Sequence, residues 1–155
     1  MKKLMLGLIC FVCSLVFFYA RISFFVSAKQ IETPWTLTED TVVDGDNSDY
    51  QNIDTKSSIE IKNFAVVEFK NLTINVLSDM SSLFKVNKGS KLILNNVTIN
   101  STANIKSVIS NYGQVDISNT QFPKVNSTYS ILNNSSESDA ITLHYVGSEQ
   151  INNIY

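Results

Sequence analysis

The chain has 155 residues, enough for one domain, with 44% hydrophobic residues and a formal net charge of −2 at pH 7. Lys2, Lys3 and Arg21 are the only charged groups among the first 28 residues, so the remainder carries nine basic and 14 acidic side chains, a net charge of about −5. These nine lysines are scattered singly. Nucleic acid needs a clustered basic face, so we expect no nucleic-acid partner.

Residues 1–28 have the pattern of a secretory signal peptide. A basic start at Met1-Lys2-Lys3 precedes an uncharged apolar run from Leu4 to Ala20, and Val26-Ser27-Ala28 supplies small residues for cleavage after Ala28. The alternative is an uncleaved membrane anchor, because the apolar run is long enough to cross about 30 Å of hydrocarbon. In either case residues 29–155 are expected to be secreted or displayed at the cell surface.

Both cysteines lie in this first segment. Cys10 and Cys13 have a C-x-x-C spacing, but an apolar leader is no setting for a redox motif. Residues 29–155 therefore have no disulfide, no thiol nucleophile and no thiolate metal ligand. We expect packing and backbone pairing alone to stabilise this exported chain.

The next segment, Lys29 to Thr38, is predicted to contain an entry strand. Trp35 is the only tryptophan of the chain and follows Pro34. Two roles are open for its ring: it covers the open end of a hydrophobic core, or it serves as a platform for stacking a sugar.

An acidic stretch follows from Glu39 to Asp54. Within it, Asp44-Gly-Asp-Asn-Ser48 resembles the beginning of a calcium-binding loop. However, the sixth position is Asp49 instead of glycine and the twelfth is Thr55 instead of glutamate. The alternative is a turn rich in Asp, Asn and Gly that leaves residues 41–43 as a strand.

A repeat begins near Ser57. Three short apolar alternations each stop at an asparagine and restart one residue out of phase, at Val67 to Leu72, Leu92 to Val97 and Val115 to Thr120. Two sets of asparagines recur at nearly constant spacing, 25 and 23 residues in one set and 24 and 24 in the other: Asn71, Asn96 and Asn119, and Asn63, Asn87 and Asn111. A regular period of this length is typical of a solenoid.

We interpret both sets as structural. Identical residues in successive coils lie about 4.8 Å apart, so each side-chain amide can donate to the amide of the neighbouring coil. Such an amide ladder satisfies inward polar groups, which cost about 1 to 3 kcal/mol each when unpaired, and it fixes the register. Asparagine also tolerates the unusual backbone of a corner.

Each repeat contains two or three short strands with period-2 alternation, and helical periodicity is absent after Ala28. Segments such as Gly89 to Asn100 and Asn111 to Phe122 resemble the coils of right-handed parallel β-helix proteins, in particular the pectate-lyase-like adhesive domains of bacterial surface proteins. The resemblance implies an all-β solenoid of about four to five coils over residues 29–155, after the N-terminal signal or anchor helix. Proteins of this shape include adhesins, polysaccharide lyases and glycoside hydrolases, so the fold does not select an activity.

The residues needed for catalysis are sparse. The outward acids of the coils are Glu60, Glu68, Asp79 and Asp116, and Glu68 aligns with Asp116 two coils away, at about 10 Å. The single histidine, His144, follows the last clear coil. We therefore predict no catalytic, cofactor-binding or metal-binding residues and a noncatalytic surface or adhesion-type module. The alternative is a remnant or module of a carbohydrate-active enzyme, a polysaccharide lyase or a glycoside hydrolase.

The expected partner is a carbohydrate or a cell-surface protein. A solenoid needs a cap on its last coil, and the segment from Ala140 to Tyr155 is too short for a further coil with a covering helix. We therefore expect either that the chain is the N-terminal part of a longer surface protein, or that it self-associates through its C-terminal edge.

Overall fold

The computed structural model describes residues 28–123, 130–134 and 143–146. These residues form β-strands joined by short turns, and no helix occurs among them. The strands are β1 (Lys29–Ile31), β2 (Trp35–Leu37), β3 (Thr41–Asp44), β4 (Asn52–Thr55), β5 (Ile59–Ile61), β6 (Val66–Val76), β7 (Met80–Val86), β8 (Lys91–Ser101), β9 (Ile105–Asn111), β10 (Gln114–Ser118), β11 (Ser130–Asn134) and β12 (Leu143–Val146). The described residues contain no helix that is long and apolar enough to cross a membrane.

All strand pairs are parallel and belong to two sheets. One sheet has the order β1-β4-β6-β8-β10-β12, with β3 also paired to β6, and the other has the order β11-β9-β7-β5-β2. Strands adjacent in a sheet are one turn apart in the chain, so the chain winds as a parallel β-solenoid of about four turns, consistent with a right-handed parallel β-helix. The predicted solenoid is confirmed. The predicted leader helix falls on residues outside the described ranges.

The larger sheet bends along one line and so provides two of the three faces of each turn. In β6 the buried positions change phase at Asn71, from Val67 and Phe69 before it to Leu72 and Ile74 after it. Asn71 itself has a φ of 56°, in the left-handed region. One residue of this conformation turns the chain and shifts the alternation by one, which explains why each repeat restarts out of phase.

We name the faces in chain order. The first face contains β2, β5, β7, β9 and β11; the second contains β3, the first halves of β6 and β8, and then β10 and β12; the third contains β1, β4 and the second halves of β6 and β8. The first corner, between the first and second faces, is formed by residues 62–65, 87–90 and 112–113 of successive turns.

Equivalent apolar residues stack inside the solenoid. On the second face, Val43 pairs with Phe69, Phe69 with Leu94 and Leu94 with Ile117, and all four side chains are buried. The first face adds Phe84, whose ring packs edge-on against Phe69 with the ring centroids 5.3 Å apart. Among the described residues, these side chains belong to one hydrophobic core.

Trp35 packs at the N-terminal end of this core. Its indole lies edge-on to Phe69, with the ring centroids 6.1 Å apart, and parallel to the ring of Tyr50 at 6.5 Å. The side chain is partly buried against the core. These contacts favour the first of the two roles considered for Trp35, covering the end of the core.

Candidate functional site

The first predicted set of asparagines lies at the corner between the second and third faces of the solenoid. Lys70, Asn95 and Ser118 are in register, so the residues that follow them, Asn71, Asn96 and Asn119, are equivalent. All three have positive φ values, 56°, 55° and 46°. The Asn96 amide donates from Nδ2 to Oδ1 of Asn71 at 3.0 Å, and Asn71 donates to Oδ2 of Asp46 at 3.1 Å.

This corner differs from the prediction in where the side chains point. We expected inward amides, but Asn96 and Asn119 are exposed and Asn71 is half-buried. The asparagines are needed mainly for their backbone conformation, which turns the chain between the second and third faces. Their hydrogen bonds are therefore surface bonds.

The register separates the other three asparagines. Asn111 pairs with Val86, and Val86 pairs with Ile61, so the repeat on this face is 25 residues long and the 24-residue spacing of Asn63, Asn87 and Asn111 does not follow it. Asn111 is buried, and its Oδ1 accepts a hydrogen bond from the backbone N–H of Gly113 at 3.0 Å. Asn63 and Asn87 are exposed in the first corner. The register therefore does not place these three residues at equivalent positions of successive turns.

A ladder that the sequence analysis missed runs along the third face. Asn100 donates from Nδ2 to Oδ1 of Asn75 at 3.1 Å, and Asn75 donates to Oδ1 of Asp54 at 2.8 Å. The second carboxylate oxygen of Asp54 accepts from Gln30 at 3.1 Å. The repeated Thr-Ile-Asn triplets that end at Asn75 and Asn100 were the available signal.

The acids considered for catalysis are mostly paired. The Glu60 carboxylate accepts from Nζ of Lys62 at 2.5 Å and from Nζ of Lys85 at 3.3 Å. The hydrogen bond from Lys62 lowers the pKa of Glu60 below its ordinary value. Asp116 forms an ion pair with Lys91, and the register places Ile93 between Asp116 and Glu68.

Asp79 also has a structural role. Its carboxylate accepts the backbone N–H of Asn104 at 2.8 Å, and this bond lowers the pKa of Asp79. A carboxyl held ionised in this way favours hydrogen-bond acceptance over proton donation near neutral pH.

The acidic stretch forms turns. Asp44 Oδ1 accepts the backbone N–H of Asp46 at 3.0 Å, and Asn47 Oδ1 accepts that of Asp49 at 3.1 Å. The other carboxylate oxygen of Asp44 pairs with Lys70 at 3.0 Å. These bonds fit the turn alternative. In the described ranges, no group of three or more His, Cys, Asp or Glu residues is placed to hold a metal ion.

An open cleft of about 470 Å³ lies at the first corner, and we call it the corner cleft. It spans three successive turns of the solenoid. Its lining consists of two aromatic, two amide and two ammonium side chains: Phe64 and Tyr112, Asn63 and Asn87, and Lys62 and Lys88.

The cleft follows from a difference in corner length. At residues 62–65 and 87–90 the corner has four residues, closed by hydrogen bonds from Ala65 N to Lys62 O and from Ser90 N to Asn87 O. In the third turn only Tyr112 and Gly113 separate β9 from β10. Tyr112 lies in this shorter third corner and is 47% exposed.

Phe64 has an unusual backbone. Its φ is 60°, and the preceding Asn63 has a φ of 58°. The equivalent position in the next turn is Gly89, with a φ of 79°. A bulky residue in the left-handed region is a true outlier, and it costs about 1 to 2 kcal/mol.

Phe64 is also the most exposed large apolar side chain in the described part of the chain, at 77%. Its ring lies directly over Gly89, because a Cβ atom added to Gly89 would lie 2.3 Å from Cδ1 of Phe64. The missing side chain of Gly89 therefore leaves the space that the Phe64 ring occupies against the next turn. Strain combined with exposure in this way is typical of functional positions.

The sequence analysis did not predict the cleft, because Phe64 and Tyr112 have no repeating spacing. Comparison with known proteins yields no relative, since no family model, no curated protein and no solved structure matches the chain. The fold and the corner cleft are therefore interpreted from their geometry.

Proposed function

We propose that this chain is an exported, noncatalytic surface module of the adhesion type, and that it binds a carbohydrate or a cell-surface protein through the corner cleft. The observation that carries the proposal is Phe64, an aromatic ring that is 77% exposed on a strained backbone. Folding alone gives no reason to keep such a residue, because glycine occupies the equivalent position in the next turn.

The pairing of the acids supports a noncatalytic role. A glycosidase needs two carboxyl groups about 5 to 9.5 Å apart, one of which holds a proton. Glu60 is bonded to two lysines and its pKa is lowered, while Asp116 pairs with Lys91. These arrangements favour structural carboxylates, and we therefore rank the enzyme alternative second.

The export part of the proposal is based on the sequence of residues 1–28. We expect the mature protein to begin at Lys29 and to appear outside the cytoplasm. N-terminal sequencing of the exported protein tests this. Recovery of material that retains residues before Arg21 would favour the anchor, and a product confined to the cytoplasm would contradict export.

Binding is tested with purified protein on panels of immobilised glycans and surface proteins. Phe64→Ala and Tyr112→Ala should each weaken binding by at least about tenfold, because each removes a contact platform. Val42→Ala is the matched control, since Val42 is also exposed, at 58%, but lies on the second face outside the cleft. Equal binding by all variants would contradict a role for the cleft.

A further inference from the structure

The corner cleft offers a partner side chains and no free strand edge. The strands that enter and leave the corner, β5 to β10, are each paired with a neighbour on both sides. A partner therefore cannot bind there by adding a strand, because that mode of binding needs unpaired backbone groups. A bound helix needs a continuous apolar groove, whereas four of the six residues that line the cleft are polar. Recognition must come from the lining side chains.

The lining is rich in hydrogen-bond donors. Asn63 and Asn87 contribute amide groups and Tyr112 a hydroxyl group, and none of the described residues in the lining is acidic. Both asparagines are exposed, and the hydrogen bonds of Asn87 in the described structure come from its backbone.

The two lysines of the lining interact within the protein. Nζ of Lys62 pairs with Glu60 at 2.5 Å, and Lys88 also has an interaction of its own. The amide and hydroxyl groups are therefore the groups that the lining offers to a partner. They suit an uncharged ligand that accepts hydrogen bonds.

A proline-rich peptide has this chemistry. Proline has no backbone N–H, so a run of prolines presents carbonyl acceptors and apolar rings without any donor. Such a run forms a polyproline II helix, which has no internal hydrogen bonds and leaves its carbonyl groups available to other molecules. Grooves lined by aromatic rings recognise this helix. Phe64 and Tyr112 supply two exposed rings in the corner cleft.

The length of the cleft also matches this helix. Lys62, Asn87 and Tyr112 follow paired strand positions in three successive turns, so they span two steps of about 4.8 Å, or about 10 Å. One turn of polyproline II contains three residues and advances about 9 Å. A segment of three or four residues that runs along the solenoid axis therefore reaches all three corners.

We propose that the corner cleft binds a proline-rich segment of another protein in the polyproline II conformation. The prolines pack against Phe64 and Tyr112, and the side-chain amides of Asn63 and Asn87 donate hydrogen bonds to the peptide carbonyl groups. This inference rests on the proposed function and specifies its partner as a protein. A polyproline II helix is ordered before it binds, so an open cleft with few contacts is sufficient to hold it.

The test measures the affinity of the purified full chain for two capped, uncharged decapeptides. The probe is a decamer of proline. The control is a decamer of alternating glycine and serine, which has as many carbonyl groups but is a flexible coil. We expect the proline decamer to bind at least about tenfold tighter than the control. Its affinity should change by less than about twofold between low and high salt, because the proposed contacts are not ionic.

Variants of the lining separate ring contacts from hydrogen bonds. Phe64→Ala and Tyr112→Ala should each weaken binding of the proline decamer at least about tenfold, because each removes an aromatic contact. Tyr112→Phe keeps the ring and removes only the hydroxyl group, so it should weaken binding by no more than about fivefold. Asn87→Ala should weaken binding about three- to tenfold, because it removes an amide donor.

Val42→Ala is again the control, since Val42 is exposed outside the cleft. The thermal midpoint of each variant, measured alongside, shows whether it is folded.

The outcomes distinguish this inference from the proposed function. If the proline decamer binds no tighter than the control, while an immobilised glycan binds the wild type and not Phe64→Ala, the proline-rich partner is wrong and the binding cleft stands. If Phe64→Ala and Val42→Ala bind the peptides, glycans and surface proteins like the wild type, both proposals are wrong. An affinity for the proline decamer that falls more than about tenfold as salt rises would also overturn the inference.

Discussion

Replacement of Phe64 by glycine should separate stability from binding. The left-handed backbone of Phe64 costs about 1 to 2 kcal/mol, which glycine does not pay. Glycine is also more flexible in the unfolded chain, and this lowers the free energy of unfolding by about 0.5 to 1 kcal/mol. The ring is 77% exposed, so little apolar burial is lost. Phe64→Gly should therefore leave the free energy of unfolding unchanged or raise it by up to about 1 kcal/mol.

The assay compares the thermal and urea midpoints of Phe64→Gly and Phe64→Ala with those of the wild type. Glycine should be about 1 kcal/mol more stable than alanine at this position, a reversal of the usual order in strands, because alanine retains the strain. Both variants should lose binding. The core variant Phe69→Ala is the contrast and should cost about 3 to 5 kcal/mol, since Phe69 is fully buried.

Two results would refute this reasoning about Phe64. If Phe64→Gly lowers the free energy of unfolding by more than about 1 kcal/mol, the ring stabilises the fold and its exposure has a structural explanation. If Phe64→Gly retains full binding, the ring is not the contact platform. In either case the strained backbone would no longer indicate a functional position.

Four further predictions concern the corners and the ion pairs. Asn96→Ala should lower the free energy of unfolding by about 1 to 2 kcal/mol. Asn96→Gly should lower it by less, because the φ of 55° favours glycine. Equal losses for the two variants would contradict the backbone role of Asn96. Gly89→Ala should destabilise the wild type more than the Phe64→Ala variant, because the new Cβ would clash with the Phe64 ring. Additive effects of the two substitutions in a double-mutant cycle would contradict that contact. Ser90→Ala should raise stability by up to about 1 kcal/mol, because Ser90 Oγ is buried without a hydrogen-bond partner in the described structure, and a loss would indicate a partner such as bound water. The lowered pKa of Glu60 means that its contribution to stability is present above the ordinary glutamate value of about 4.3 and is lost as the pH falls through the lower folded value. Glu60→Gln should therefore reduce the fall in thermal midpoint between pH 7 and pH 3. If the variant and the wild type lose the same amount over this pH range, the ion pairs of Glu60 do not contribute to stability.

The solenoid could be predicted from the sequence because its determinants are local and repeated. The apolar alternation before Asn71 and its shift of phase afterwards occur again around Asn96, and a repeated phase shift leaves few folds other than stacked coils. The register on the second and third faces followed from the same residues. On the first face the repeat of 25 residues between β5, β7 and β9 was obscured, because the corner containing Tyr112 is two residues shorter than the two corners before it.

The corner cleft could not be predicted in this way, because it arises where the repeat fails. Pattern analysis finds positions that agree from coil to coil, whereas Phe64 stands where the next coil has Gly89, and Tyr112 stands on a shortened corner. The positive φ of Phe64 is not encoded by any preference of phenylalanine; the surrounding turn imposes it. Only coordinates could show that the two rings share one cleft.

The regular part of the molecule explains how the irregular part persists. Each turn is fixed by its neighbours through buried columns such as Phe69 and Leu94 and through the surface amide bond from Asn96 to Asn71. A strained residue survives when the structure around it determines its conformation, and Phe64 lies between strands that are paired with the next turn. Proteins tend to break local rules of sequence and structure at functional sites. In this solenoid the rule is broken most clearly at Phe64, and that is the physical reason for placing the binding site at the first corner instead of on the flatter faces.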